Sequence, residues 1–233
     1  MLLMGSGEFL PWAAEAERFV LASATGDGSV AVLATASAKE GDAVYERWVQ
    51  QGVAHFSSIG IQAHAFNVRR REDALDPEIA RRLEGVSMVF FSGGKPGYLA
   101  QVLRATPLWD AIERLLARGG VFAGCSAGAV IAGSVSGAGV RQPRLPLMFR
   151  SGLGLEPGAV FGVHWDAFSR RGLGWVRELF VWRLPESIRL IGIAEHTAIV
   201  ADDLGWRVFG SGDVEVRSGA IKTLYHAPDI IPR

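Results

Sequence analysis

The chain reads as an α/β domain built on a doubly wound, mostly parallel sheet. Three observations predict this. Short, continuous apolar runs recur through the first half of the 233 residues, as strands covered on both faces require. Amphipathic stretches of helical period separate them, which implies right-handed βαβ crossovers. Glycine-rich turns follow two of the runs directly, at the strand ends where open parallel sheets gather their ligands.

Leu2 to Met4 is expected as the first buried strand. Pro11 to Ala22 follows as a helix, with proline in its first turn. Ser29 to Ala34 is a β-branched second strand, and Gln62 to Asn67 a weaker third. Between these two, Asp42 to Phe56 sets Val44, Trp48, Val49 and Phe56 on related faces of a helix. Asp76-Pro77-Glu78 carries an N-cap, a proline at the first helical position and a first-turn acid. Met88 to Phe91 is the fourth strand and Val121 to Gly124 the fifth. The helical stretch from Leu99 to Ala117 is split by Pro107 and ends at Gly119-Gly120. Ser134 to Pro157 is rich in Gly, Pro and Arg and reads as an irregular excursion. Ser169 to Phe180 suits a helix. Ile188 to Ala201 and Trp206 to Val216 suit two late strands joined by the turn at 202–205. A linker long enough to separate a second domain is missing, so residues 1–233 are expected to form one α/β unit.

Hydrophobic residues make up 49% of the chain, so a packed domain is expected rather than disorder. Lys+Arg and Asp+Glu both number 24, which argues against a dedicated binder of nucleic acid or anionic membrane. Arg69-Arg70-Arg71 reads as a solvated loop. Cys125 is the one cysteine and cannot form an intrachain disulfide, which fits a reducing compartment. The first residues lack the pattern of a signal peptide, and no apolar run approaches the roughly 18 residues of a membrane span. A cytoplasmic location is expected.

The strongest chemical signal is Val121 to Ala129, where an apolar strand runs into G-x-S-x-G and then into small helix-forming residues. Glycines two before and two after Ser126 permit a tight turn that holds the hydroxyl at the sheet edge. Ser126 is therefore the candidate nucleophile, and the Ala127 amide a candidate oxyanion donor. Cys125 sits one residue early for that role and reads as a small buried apolar residue. Of the five histidines, His164 closes the apolar run Ala159 to Val163 and opens a polar loop, a strand-end position suited to a general base. Glu195 lies among apolar neighbours, where an acid is costly unless paired, so it is the candidate to orient His164. Asp166 is the alternative. Gly93 or Gly94, leaving the fourth strand, supplies a candidate second oxyanion amide. Glu8 either lines the site or is a first-turn helix acid. Gly5-Ser6-Gly7-Glu8 lacks the third glycine of a dinucleotide loop. The scattered histidines suggest no metal cluster, and no cofactor is expected.

Together these segments resemble peptidase family S51, the dipeptidase E and cyanophycinase group. The resemblance runs from Gly5 to about Gly212. It rests on Phe91-Ser92-Gly93-Gly94, on Gly124 to Ala129, on His164, and on Gly192 to Ala198. It implies a flavodoxin-like, class I glutamine-amidotransferase-like three-layer sandwich. It further implies a Ser126-His164-Glu195 triad, with the Ala127 amide and the Gly93–Gly94 loop as oxyanion hole. The implied activity is serine-peptidase hydrolysis of short peptides, among them dipeptides with an N-terminal aspartate. Lys95, Arg170 and Arg171 are candidate cations for a substrate carboxylate. The chain departs from the family at two places: Lys95-Pro96-Gly97-Tyr98 follows the double glycine, and Gly162-Val163 precede His164. An amidase or glutamine-amidotransferase-like enzyme, or a non-catalytic family member binding a small ligand, is the alternative. Trp175, Phe180 and Trp182 fall in one amphipathic stretch, suited to a homodimer contact or to capping the core.

Overall fold

The structure is a computed structural model and describes residues 1–136 and 150–233. Residues 137–149, the middle of the excursion expected over Ser134 to Pro157, lie outside it. In chain order the first elements are β1 (Leu2–Met4), α1 (Ala14–Ala22), β2 (Val30–Leu33), α2 (Asp42–Ser58) and β3 (Ala63–Ala65). Next come α3 (Arg71–Leu75), α4 (Pro77–Arg81), β4 (Met88–Phe91), α5 (Pro96–Leu103), α6 (Pro107–Ala117), β5 (Val121–Cys125) and α7 (Ala127–Val130). The last third holds β6 (Val135–Ser136), β7 (Arg150–Ser151), β8 (Ala159–Gly162), α8 (Trp165–Arg170), α9 (Gly174–Trp182) and β9 (Arg189–Ile193). It ends with β10 (Thr197–Asp202), β11 (Gly205–Gly210), β12 (Val214–Ser218), β13 (Ile221–Tyr225) and β14 (Ile230–Ile231).

Eight strands form the main sheet in the order β14-β11-β10-β1-β5-β4-β2-β3. From β1 to β3 every pairing is parallel, and from β1 to β14 every pairing is antiparallel. The parallel strands β1, β2, β4 and β5 are buried on both faces, which is why they read as continuous apolar runs, whereas the edge strand β3 is partly exposed. Alternate residues feed two separate cores. Leu3, Leu33, Val89, Phe91 and Phe122 pack with α5 and α6, whereas Leu2, Met4, Val32, Phe90 and Cys125 pack with α1 and α2. The result is the expected three-layer sandwich.

Local signals explain the helix starts. The Asp76 side chain accepts from the Glu78 amide at 2.8 Å, and Pro77 opens α4. Thr106 caps α6 ahead of Pro107, which separates it from α5. Glu8 stands before the turn at Pro11–Ala13 and so is not a first-turn helix acid.

The last third departs from expectation. Ile188 to Ala201 is not one strand but two, β9 and β10, with a turn at Ala194-Glu195-His196 between them. His196 takes a left-handed φ of 52° there, without a glycine to announce it. The stretch from Trp206 to Val216 likewise divides into β11 and β12. In both cases the first piece and the second belong to different sheets, because β8, β9, β12 and β13 form a second sheet in the order β13-β12-β9-β8. The helix expected over Ser169 to Phe180 is α8 and α9, interrupted where Gly172 turns left-handed at φ 69°. α9 buries no residue fully, and Trp175 and Trp182 are 67% and 76% exposed, so these two do not cap the core.

An ion cluster ties α9 to the second sheet. Glu215 is buried on β12 and accepts from Arg217 at 2.7 Å and Lys222 at 3.0 Å, with Arg177 of α9 at 3.8 Å. Burial pushes the Glu215 carboxyl up, but hydrogen bonds from Arg217 and Lys222 and the charges of Arg217 and Arg177 outweigh it and leave the value lowered. A carboxyl lowered on folding adds stability above its unfolded value and loses it as pH falls through the folded one. Glu215→Gln is therefore expected to cost about 2 kcal/mol at neutral pH. In urea titrations from pH 7 to pH 3, its deficit should shrink toward the acid end. A constant gap would remove the ionic explanation.

Candidate active site

Parallel pairing brings three loops to one edge of the main sheet. β5 lies between β1 and β4, with Met4 opposite Cys125 and Phe91 opposite Gly124. The loops carrying Glu8, Ser126 and Gly93 therefore leave side by side. Ser126 sits at φ 49° and ψ −106°, a costly backbone state for a residue with a Cβ. Its amide donates to the Met4 carbonyl at 3.0 Å, which helps hold the turn. The flanking glycines are required by close approach. A Cβ on Gly124 would lie 2.5 Å from the Gly128 carbonyl carbon, and one on Gly128 would lie 2.6 Å from the Phe91 carbonyl oxygen. Gly128→Ala must displace backbone rather than a side chain, and is expected to destabilise by about 1–3 kcal/mol. A urea midpoint equal to that of the unaltered chain would refute this account of the turn.

The second sheet supplies the other two groups. β8 and β9 run parallel, with Gly162 opposite Gly192. The loops after them, carrying His164 and Glu195, are therefore neighbours. Trp165 lies flat over this glycine pair: a Cβ on Gly162 or Gly192 would come within 2.4 Å or 2.5 Å of its ring. That packing fixes the start of α8 immediately after His164. His164 itself is held left-handed at φ 49°.

The side chains meet in series. Ser126 Oγ lies 3.2 Å from His164 Nε2, and His164 Nδ1 lies 3.0 Å from Glu195 Oε1. With the Nδ1 proton directed at Glu195, Nε2 is free to accept the serine proton. The hydrogen bond with His164 holds the Glu195 carboxyl below its usual value. Burial opposes this, and the Arg170 hydrogen bond and charge reinforce it. Asp166, the alternative acid, does not contact the imidazole. Its Oδ1 accepts from the Glu195 amide at 2.9 Å and its Oδ2 pairs with Arg170 at 3.0 Å.

The other expected residues divide. Ala127 opens α7, where backbone amides lack helical partners, so its N–H can face an oxyanion. The Gly93 amide is already engaged, donating to Glu8 Oε1 at 2.8 Å, which leaves Gly94 as the candidate on that loop. Arg170 is exposed, but its guanidinium is already paired with Glu195 and Asp166 and so is committed to the acid. Lys95 and Arg171 are exposed. Cys125 is fully buried and its thiol donates to Glu8 Oε2 at 3.0 Å. Burial, and then the Glu8 charge, push that thiol well up, so it is no thiolate nucleophile. Sequence reasoning did not foresee this part of Glu8. The signal was present: an acid four residues past the carboxyl end of the first parallel strand.

A cavity of about 760 Å³ opens beside His164. It lies between the loop at 6–11 and α2, and Phe9, Leu10, Trp48 and Ile59 form apolar walls.

A serine on a strand–helix turn, an imidazole and a carboxylate in series define an α/β protein with a hydrolase-type relay. The comparisons with known proteins narrow this. The model of peptidase family S51 matches residues 1–208, and the chain belongs to that family. Cyanophycinases of Trichormus variabilis and of a Nostoc species are each 32% identical to it over 170 residues. The match takes in 69% of this chain and 55% of theirs, so the chain spans about half the length of these curated relatives. The crystal structure of a peptidase from an acI-B1 Actinobacterium superposes with a TM-score of 0.88 at 29% identity, covering 100% of this chain and 96% of that one. A putative peptidase E protein from Listeria monocytogenes shares the fold, with a TM-score of 0.61 at 19% identity over 97% of this chain and 96% of its own.

Proposed function

We propose that the chain is a serine peptidase acting on short peptides. The observation that carries this is the relay of Ser126, His164 and Glu195, with contacts of 3.2 Å and 3.0 Å. Ser126 Oγ attacks the scissile carbonyl while His164 Nε2 takes its proton. The tetrahedral oxyanion is met by the Ala127 amide and the Gly94 side of the neighbouring loop. Collapse of that intermediate breaks the C–N bond. His164 returns the proton to the departing amine, leaving an ester on Ser126. Water, deprotonated by His164, then releases the acid and restores the serine. Glu195 keeps the imidazole oriented and offsets its transient charge.

The finer reading, a preference for an N-terminal aspartate, needs a cation for the side-chain carboxylate. Lys95 and Arg171 remain for that role, since Arg170 is committed. Arg170→Ala is expected to slow acidic and neutral dipeptides alike, by roughly tenfold in kcat. A loss confined to Asp-Xaa substrates would return Arg170 to the substrate site. The deciding experiment for the function is amino-acid release from a dipeptide panel by the unaltered chain and by Ser126→Ala. Equal release from both would overturn it.

A further inference from the structure

Glu8 holds a position that the relay does not use. It is 8% exposed and lines the cavity beside His164. Its two oxygens accept from the Gly93 amide at 2.8 Å and the Cys125 thiol at 3.0 Å. Both donors are neutral, and among the described residues no Lys, Arg or His forms an ion pair with it. No lysine or arginine lines the cavity either. The fold thus keeps an acid against apolar walls with two neutral hydrogen-bond donors and no countercharge, an arrangement that an arriving cation completes. The next residue, Phe9, is bulky yet left-handed at φ 64°. It is pinned by the rings of Phe90 at 5.1 Å and Phe56 at 6.3 Å, so packing rather than intrinsic preference fixes the path of this loop.

From these observations we infer that Glu8 is the receptor for the α-ammonium group of the substrate. The assignment rests on the peptidase reading above and adds to it that the substrate carries a free amino terminus. Position selects the α-ammonium over other cations. The point where a Gly93 Cβ would stand is 3.1 Å from Glu8 Oε1 and 3.8 Å from Ser126 Oγ, so acid and nucleophile are neighbours across one glycine. The α-nitrogen of an N-terminal residue is two bonds from the carbonyl carbon that Ser126 attacks. The cations of lysine and arginine side chains are about six bonds away and overshoot this gap. Glu8 oxygens retain unused lone pairs beside their present donors, so the ammonium binds without displacing Gly93 or Cys125. The apolar walls at Phe9 and Trp48 lower the local dielectric and strengthen the pair.

The test compares each dipeptide with its N-acetylated form and with its des-amino analogue, which loses the cation without added bulk. The unaltered chain is expected to favour the free amine by about 100-fold in kcat/KM, mostly through KM. In Glu8→Gln that ratio is expected to collapse to within about fivefold, and Glu8→Asp to recover part of it. A role confined to clasping the loops would slow both forms together and leave the ratio intact. That result overturns the inference, as does equal turnover of free and des-amino substrates by the unaltered chain, which needs no variant to fold. Neither result touches the peptidase reading. Absence of turnover on every form, with no covalent labelling of Ser126 by a fluorophosphonate, overturns that reading and the inference with it.

Discussion

Ser126→Ala is expected to lower kcat/KM for dipeptides by about 10⁴-fold or more. The change removes one oxygen, and with it the group that the proposed mechanism acylates. The turn itself should survive. Alanine meets the same cost at φ 49° as serine does, and the Ser126 amide keeps its bond to Met4. The lost contact to His164 is a partly buried hydrogen bond, so stability should move by about 1 kcal/mol or less. What remains is catalysis by the oxyanion amides and by binding, which in triad enzymes still exceeds the reaction in water. Kinetics on the panel, beside a urea melt of both chains, separates the two effects. A loss under tenfold with an intact fold would mean that another group attacks.

Glu195→Gln should come second, with kcat reduced by about 10³–10⁴-fold and KM little changed. Glutamine matches the shape of glutamate and takes away its charge. The Glu195 carboxyl is held below its usual value by His164, against burial and with help from Arg170, so the charge is present at neutral pH. Without it the imidazolium formed during attack has no counterion. The amide nitrogen can also donate to Nδ1, which moves the ring proton to Nε2 and blocks proton transfer from Ser126. Proton NMR of the imidazole would report that change of tautomer directly. An unchanged kcat would leave His164 to work without an orienting acid.

The central parallel strands were legible because each is buried on both sides, and burial writes an uninterrupted apolar run. β2, β4 and β5 all fall within a residue or two of their expected limits. Ser126 was legible for a similar reason: the close approach of Gly128 to Phe91 leaves a fixed glycine spacing in the sequence. His164 and Glu195 were singled out from position and cost, and the structure sets His164 against Ser126 and Glu195 against His164. What did not show is set by tertiary contacts. Ile188 to Ala201 looks like one strand because the turn at Ala194-Glu195-His196 carries no glycine or proline. The strain at His196 is held by packing that only the folded chain supplies. The commitment of Arg170 to Glu195, and of the Gly93 amide to Glu8, join residues 25 and 85 positions apart. Local patterns carry no trace of either.

Placing β9 and β10 in different sheets has a consequence for heat. Ser126 belongs to the large sheet, His164 to the small one, and Glu195 to the short strap that crosses between them. The relay is thus a seam rather than a property of either slab. A slight slide of one slab on the other would part the serine from the imidazole while leaving both ladders of backbone bonds whole. Enzymatic function is then expected to fade at temperatures where far-ultraviolet circular dichroism still reports an intact molecule, and to return on cooling.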